Sequence, residues 1–546
     1  MVIALLMAAA LAAAQPSPQM GHADHDDEAA PAVLIPGIRG VSFQIATRRE
    51  EAQKFFNQGL ALVYAFNHEE AVRSFRKAAE IDPASPMPHW GIALALGPNI
   101  NREMDPERHA QALAAIQLAV QLASRAPAKE RAYVAAMAKR YSADPNADPM
   151  TLAADYKDAM RQLTRTYPND SHAATLYAES LMNLRPWKLY TAEGAPAEGT
   201  SEVVEVLERV LERDPDHVGA NHLYIHATEA SLTPERALKS AKKLETLVPA
   251  AGHLVHMPAH TYMRTGDYSG AVAANARAAD VDRRYIEATS PKGFYPAMYF
   301  NHNLDFLAAA AMMTGQFDVA LKAARELTAN VTPMLADMPM LEPFGWKTLQ
   351  VLLRFGKWSD VLAQPKPDDD ARLLVALDHF ARGVAHAGLG DAAEADRERE
   401  AYTAARSAVP ADLPFNMNTA AQVLDVAGHT LDARIAAARG DAEAAIAAWR
   451  LAVHAEDRLS YNEPPDWFYP TRESLGAALV RAKRFDEADL VFRQDLERNP
   501  GNPRSLFGRW QTLRAIEGDR PGTLVVRRRF ADAWSNADAP LRLEDF

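Results

Sequence analysis

The chain has no cysteine among its 546 residues. Disulfide bonds, thiolate metal sites, iron–sulfur clusters and cysteine nucleophiles are therefore all excluded. A block of basic residues is also missing, and the formal net charge is −12. We therefore expect neither nucleic acid nor an anionic membrane surface as a partner.

Common catalytic motifs are missing as well. The sequence contains no G-x-S-x-G elbow, no Walker phosphate loop and no H-E-x-x-H helix. The segment FNHEEAV at residues 66–72 contains a histidine and two glutamates, but we interpret it as a turn between two helices. Any active site must therefore be sought in the spacing of residues rather than in a known motif.

No apolar run is long enough for a membrane-spanning helix, which needs about 18 residues. The run at residues 2–14 has instead the length of a signal-peptide core, and it ends on an A-x-A cleavage pattern. We therefore predict a signal peptide at residues 1–14 and an exported protein, periplasmic or secreted. The run departs from the usual pattern because no basic residue precedes it.

Residues 15–48 are predicted to be a disordered linker, because they begin with small and acidic residues and lack helical periodicity. The linker includes His22 and His25 among aspartates, a composition that also suits weak metal collection.

Helical hairpins are predicted from residue 49 onward, and two distant segments share one pattern. Residues 52–83 contain, in order, Phe55, Gly59, Leu62, Ala71, Phe75, Ala78 and Pro83. Residues 472–500 contain Leu475, Gly476, Leu479, Ala488, Phe492 and Pro500. This pattern resembles the tetratricopeptide repeat (TPR), a 34-residue unit of two helices whose signature is W-x2-L-G-x2-Y, then A, F and P.

The resemblance implies an all-α fold, a right-handed solenoid of stacked helical hairpins in which the first helix of each repeat lines a concave groove. We divide it into N-terminal hairpins at residues 49–200, central repeats at 201–330 and C-terminal repeats at 331–546. The resemblance also implies a protein or peptide partner in the groove, but it transfers no catalytic residue.

Three segments depart from a plain solenoid. Residues 288–303, ATSPKGFYPAMYFNHN, lengthen one repeat and are rich in aromatics. Two further loops, at residues 340–349 and 461–475, each carry Glu-Pro followed by aromatics. These segments either bind a ligand, as long loops in solenoids often do, or fill gaps between hairpins. Residues 85–105, which include His89 and Asn101, form a weaker candidate for binding.

Histidines recur at the repeat spacing in two central segments. The segments are NHLYIHATEA at residues 221–230 and GHLVHMPAH at residues 252–260, and His256 and His260 follow His222 and His226 at an offset of 34 residues. On ideal helices each segment places three ligand-type residues within about 60° of arc. The first set is His222, His226 and Glu229, and the second is His253, His256 and His260.

These residues predict a transition-metal site on the groove face, with His302 as a further ligand from the next repeat. Imidazole and carboxylate without thiolate suit Zn, Cu, Fe or Mn. Glu229 is expected to be either a ligand or a general base, in which case the protein would be a metal-dependent hydrolase or oxidoreductase. Pro258 interrupts the second set and is expected to bend the helix there. Two alternatives stay open at this point: a peptide groove without metal, and histidines that only pack.

Overall fold

The computed structural model describes residues 32–192 and 194–546. Within these ranges nearly all regular structure is helical, so the predicted all-α fold is confirmed. The predicted signal peptide and the histidines of the linker lie outside the described residues. No helix in the described ranges is both long enough and apolar enough to cross a membrane.

Helices follow one another along the whole described chain. The first group is α1 (Glu50–Tyr64), α2 (His68–Ile81), α3 (Met87–Leu96), α4 (Pro106–Leu122), α5 (Ala128–Met137), α6 (Pro149–Thr166) and α7 (Ser171–Met182). The central group is α8 (Thr200–Arg213), α9 (Val218–Thr228), α10 (Leu238–Leu247), α11 (Gly252–His256), α12 (Pro258–Thr265), α13 (Tyr268–Thr289), α14 (Asn301–Thr314) and α15 (Phe317–Val331).

The C-terminal group contains the remaining helices and one small strand pair. Its helices are α16 (Glu342–Gly345), α17 (Lys347–Arg354), α18 (Trp358–Leu362), α19 (Arg372–Gly388), α20 (Ala392–Ala408), α21 (Ala420–Ala438), α22 (Ala442–Glu456), α23 (Thr471–Arg481), α24 (Phe485–Arg498), α25 (Pro503–Glu517) and α26 (Pro521–Ala533). The antiparallel strands are β1 (Pro414–Phe415) and β2 (Asn418–Thr419). Short 3₁₀ turns lie at Ala123–Arg125, Ala138–Arg140, Pro234–Ala237, Thr332–Met334, Pro339–Leu341 and Leu543–Asp545, and a π-helical turn lies at Tyr295–Phe300.

Consecutive helices pack against each other as hairpins, for example α1 on α2, α14 on α15 and α23 on α24. The packing depends on glycines that let an aromatic ring from the neighbouring helix touch the backbone. Phe75 of α2 lies over Gly59 of α1 and Gly91 of α3, and a Cβ on either glycine would come within 2.7 Å of its ring. In the C-terminal group, Phe492 lies in the same way over Gly476 and Gly508. The two segments that share the sequence pattern thus share one packing device.

Two helices that carry predicted ligands end at glycines. Gly266 follows α12 with φ of 85°, and Gly315 follows α14 with φ of 75°. This left-handed conformation strains other residues, so glycine ends both helices sharply before the chain turns into the second helix of each hairpin.

The prediction of a disordered linker is wrong for residues 32–48. Phe43 and Ile45 are buried in this segment, and the Ile35 amide donates to the Gln58 side chain. The apolar side chains give this non-helical stretch a packed position against α1. A continuous cluster of buried side chains extends from Phe43 to Tyr469, so the core is not interrupted at residues 200 or 330.

Gly91→Ala is expected to lower the free energy of unfolding by about 1–3 kcal/mol, because the added methyl group overlaps the buried Phe75 ring. The matched control is Gly522→Ala near the start of α26, where an added Cβ meets no atom within 4 Å. The control should be neutral, or stabilising by up to about 1 kcal/mol. Urea unfolding followed by circular dichroism measures both changes, and equal effects would contradict the packing described.

Candidate metal centre

Four helices carry the predicted histidines to one place. α9 supplies His222 and His226, α11 supplies His253 and His256, α12 supplies His260 and α14 supplies His302. The chain passes from α11 to α12 at Pro258, which occupies the first position of α12. Proline is well tolerated there because that amide has no partner within the helix. The bend expected at Pro258 is thus a change of helix.

The imidazoles form two groups of three. In each group one nitrogen per ring lies within 4.8 Å of the others. The first triad is His222, His226 and His253, and the second triad is His256, His260 and His302. The sequence grouped the histidines by helix, but the structure moves His253 to the α9 pair and joins His256 and His260 to His302.

The triads are neighbours. The rings of His226 and His260, one from each triad, have centroids 5.4 Å apart. The rings of His253 and His256 have centroids 5.6 Å apart.

The triads are buried between helices and do not line an open groove, which corrects the groove-face placement predicted from the repeat alignment. His222 and His256 are fully buried, the most exposed of the five buried imidazoles is His226 at 4%, and His302 is half-buried. The physical reason is that aromatic side chains from other segments cover the face that the alignment left open.

Hydrogen bonds through Nδ1 hold two rings of the first triad, His222 and His226, and leave their Nε2 atoms free to bind a cation. The Nδ1 of His222 lies 2.6 Å from the Tyr64 carbonyl oxygen, so it must carry the proton and donate. The Nδ1 of His226 lies 2.9 Å from Oε1 of Glu229 and likewise donates. The Nε2 atoms of both rings are buried without a partner, as are both ring nitrogens of His253. Such imidazoles have a lone pair ready for a cation.

In the second triad, the Nε2 atoms of His256 and His260 face each other 2.8 Å apart. The Asn275 amide nitrogen donates to the Ala271 carbonyl, so its oxygen must accept from Nδ1 of His256 at 2.6 Å. The Nδ1 of His260 lies 2.5 Å from Oε2 of Glu229. The proton of His256 is therefore on Nδ1, and its Nε2 is an acceptor. That nitrogen faces either a proton on Nε2 of His260 or a cation bound by both rings.

Glu229 connects the triads from behind the imidazoles. Its two oxygens contact Nδ1 of His226 and Nδ1 of His260. Burial alone would raise the pKa of this carboxyl, but His260 and His226 outweigh it and lower the pKa to about 2. The sequence left Glu229 as a ligand or a general base. In the structure its carboxylate contacts two candidate ligands, an arrangement that is common around protein-bound metal.

Aromatic rings close the centre. Phe66 lies with its ring centroid 4.5 Å from that of His222 and 5.4 Å from that of His253. Its φ of 56° is unusual for a bulky residue, and such backbone strain concentrates at functional sites. Tyr299 lies 4.7 Å from His253, measured between ring centroids.

Two further rings complete the enclosure. Trp187 meets His226 edge-on at 5.8 Å between ring centroids. Phe306 lies 4.8 Å from both His256 and His260, measured in the same way. The spacing of the histidines gave no signal for Phe66 or Trp187, which lie far from them in the sequence.

The aromatic insertion at residues 288–303 contributes to the site. It forms the π-helical turn that holds Tyr299 and leads directly into His302, and π-turns are frequent at functional sites. Asn101, from the weaker candidate segment, donates to the Tyr299 hydroxyl and accepts from the Trp187 indole.

The other two loops fill space between hairpins, and the loop at residues 461–475 also places the buried carboxyl of Glu463 where its charge interacts with His260 and Glu229. Trp346 and Trp467 are both buried, with ring centroids 6.2 Å apart. Residues 288–303 therefore belong to the candidate site, whereas residues 340–349 and 461–475 mainly fill gaps between hairpins.

Burial lowers the pKa of five of these imidazoles: His222, His226, His253, His256 and His302. Burial first, and then the neighbouring histidines, hold the pKa of His253 and His256 well below the usual value. Burial acts first on His222 in the same way, and His226 adds to the lowering of its pKa. Burial together with His260 and His226 lowers the pKa of His302 to about 3. Neutral rings bind a metal without first losing a proton.

The fold places the chain in the class of helical-repeat proteins. Residues 52–85 match the tetratricopeptide repeat family, so the chain contains a TPR unit and the predicted resemblance is confirmed. No curated protein matches the chain by sequence.

Two solved structures of human IFIT1, a dimer with m7Gppp-AAAA and a dimer with PPP-AAAA, are similar at 12% and 13% identity with TM-scores of 0.33 and 0.32. Each alignment covers 90% of this chain, and 91% and 92% of those chains. The APC/C hetero-tetramer Cut9-Hcn1 is similar at 13% identity and a TM-score of 0.28, over 90% of this chain and 95% of that chain. TM-scores of this size establish no common global arrangement.

The metal-free chain should lose stability as the pH falls from about 7.5 to about 5.5. Unfolded imidazoles take up protons near pH 6.5, whereas folded ones with a lowered pKa stay neutral, so the unfolded state binds more protons. Each such imidazole contributes a slope of about 1.4 kcal/mol per pH unit below that value.

His302→Gln tests this slope by removing one titrating ring. The slope of unfolding free energy against pH should become smaller by about 1.4 kcal/mol per pH unit, which is the contribution of one proton. At about pH 8 the imidazoles of the unfolded chain are also neutral. The difference in free energy of unfolding between the two chains at that pH therefore measures only the packing lost with the ring. An unchanged slope would contradict the burial of a neutral His302.

Proposed function

We propose that this chain is an exported helical-repeat protein whose central hairpins hold two transition-metal ions, one in each histidine triad. The observation that supports this most strongly is the convergence of six imidazoles from four helices into two groups of three, in each of which one nitrogen per ring lies within 4.8 Å of the others. A proton shared between Nε2 of His256 and Nε2 of His260 is the competing occupant of the second group.

Three neutral imidazoles are a common donor set for a catalytic or carrier metal, with nitrogen–metal distances of about 2.0–2.1 Å. In each triad the candidate nitrogens lie within 4.8 Å of one another, close to the spacing that three ligands of one ion require. Neighbouring ions of this kind can activate water or dioxygen, which is the chemistry of metal-dependent hydrolases and oxidoreductases.

The helical repeats supply the second part of the proposal. TPR hairpins commonly present surfaces to other proteins, and we propose a protein partner for this scaffold. A peptide groove that uses the histidines without metal is the alternative. Such a groove would need the imidazoles spread along an accessible channel, whereas they are buried in two compact groups.

The purified chain should contain two ions, one for each triad. His222→Gln with His253→Gln should remove one ion, and His256→Gln with His302→Gln should remove the other. The control, His386→Gln with His454→Gln, changes histidines outside the centre and should keep both. Elemental analysis after reconstitution with Zn, Cu, Fe and Mn measures the content.

Metal content that is the same in all these variants, or absent from the parent chain, would contradict the proposal. Circular dichroism of each variant separates loss of ligands from loss of fold.

Export is a separate part of the proposal. Cleavage after the A-x-A pattern should give a mature chain that begins at Gln15. Mass spectrometry of the protein from the non-cytoplasmic fraction measures the first residue. A cytoplasmic chain that keeps residues 1–14 would contradict export.

A further inference from the structure

The donor set of the two triads is made of neutral groups alone. All six candidate ligands are imidazoles, and carboxylate oxygens are not among the grouped ligand atoms. Imidazole is a softer donor than carboxylate or water, so it disfavours hard cations such as Mg²⁺, Ca²⁺ and Mn²⁺. The candidates that remain are zinc, iron, nickel and copper.

Little negative charge is present to balance the ions. Glu229 is shared between both triads, and Glu463 is a second buried carboxyl whose charge interacts with His260 and Glu229. Even with both carboxyls ionised, the two negative charges equal two monovalent ions but only half the charge of two divalent ions. Asp282, a further buried carboxyl on this side of His253, already accepts from the Tyr295 hydroxyl and the Asn303 amide. Arg264, which donates to the Glu229 carbonyl, adds a positive charge on the same side. The surroundings therefore favour low cation charge.

Burial increases this preference. The cost of transferring an ion from water into a protein interior grows with the square of its charge, so a divalent ion costs about four times as much as a monovalent ion. The aromatic enclosure by Phe66, Tyr299, Trp187 and Phe306 lowers the local polarity further. Zinc bound by three histidines also usually keeps a water or anion as its fourth ligand. A monovalent ion that accepts three nitrogen ligands needs no water or anion as a fourth ligand.

We infer that the two triads bind copper in its monovalent form, one Cu(I) in each triad. This inference rests on the proposed metal centre and names its ion. Copper(I) combines a single charge with affinity for imidazole, whereas sodium and potassium, which share that charge, require oxygen ligands. The paired triads therefore make this a dicopper(I) protein that resists loading with zinc.

Competition for metal by the full chain tests the inference directly. The chain is freed of metal and titrated without oxygen with Cu(I) against bicinchoninate. A parallel sample is titrated with Zn(II) against a chromogenic zinc chelator. We expect two Cu(I) per chain, and Cu(I) affinity that exceeds Zn(II) affinity by about two orders of magnitude or more. X-ray absorption of the copper-loaded chain should show three nitrogen neighbours for each ion.

The outcomes separate this inference from the proposal on which it rests. Two Zn(II) per chain bound as tightly as Cu(I), or more tightly, would overturn the copper inference and leave the metal centre in place. Cu(I) bound with oxygen neighbours, or at one ion per chain, would also overturn it. Neither metal bound would overturn both. The parent chain gives the decisive comparison, so no result depends on whether a variant folds.

Discussion

The contact of one carboxylate with two imidazoles underlies the whole candidate centre. Glu229 at the end of α9 accepts a hydrogen bond from His226 on its own helix, and its other oxygen lies 2.5 Å from Nδ1 of His260 on α12. The bond to His226 places the proton of that ring on Nδ1 and leaves its Nε2 unprotonated. Because each ring belongs to a different triad, one buried carboxylate holds both groups together.

The helical repeat makes such an arrangement feasible. Each hairpin buries its apolar face only against its neighbours, so consecutive first helices are held side by side. α9, α11, α12 and α14 can then each contribute ligands to one place. The π-helical turn before α14 carries Tyr299 and leads directly into His302. The scaffold supplies rigidity, and the irregular segment supplies the last ligand and part of the cover.

Much of this could be predicted from residue spacing, and the remainder could not for identifiable reasons. Gly59 and Phe75 made the TPR hairpins predictable, because two helices in close contact need a small residue where an aromatic ring of the neighbour lies. The 34-residue offset gave the correct helices, but ideal helical arcs misassigned His253. A change of helix at Pro258 redirects the rings, and arc calculations assume a continuous axis. Phe66 comes from a distant turn, and a single sequence carries no signal that relates it to the histidines.

Anomalous diffraction from crystals of the reconstituted chain is the most direct measurement of the central claim. We expect two anomalous peaks per chain, one among the nitrogens of His222, His226 and His253 and one among those of His256, His260 and His302. Glu229 should remain behind both peaks, in contact with Nδ1 of His226 and His260. Peaks elsewhere, or no peak with the two Nε2 atoms of the second triad still 2.8 Å apart, would contradict it.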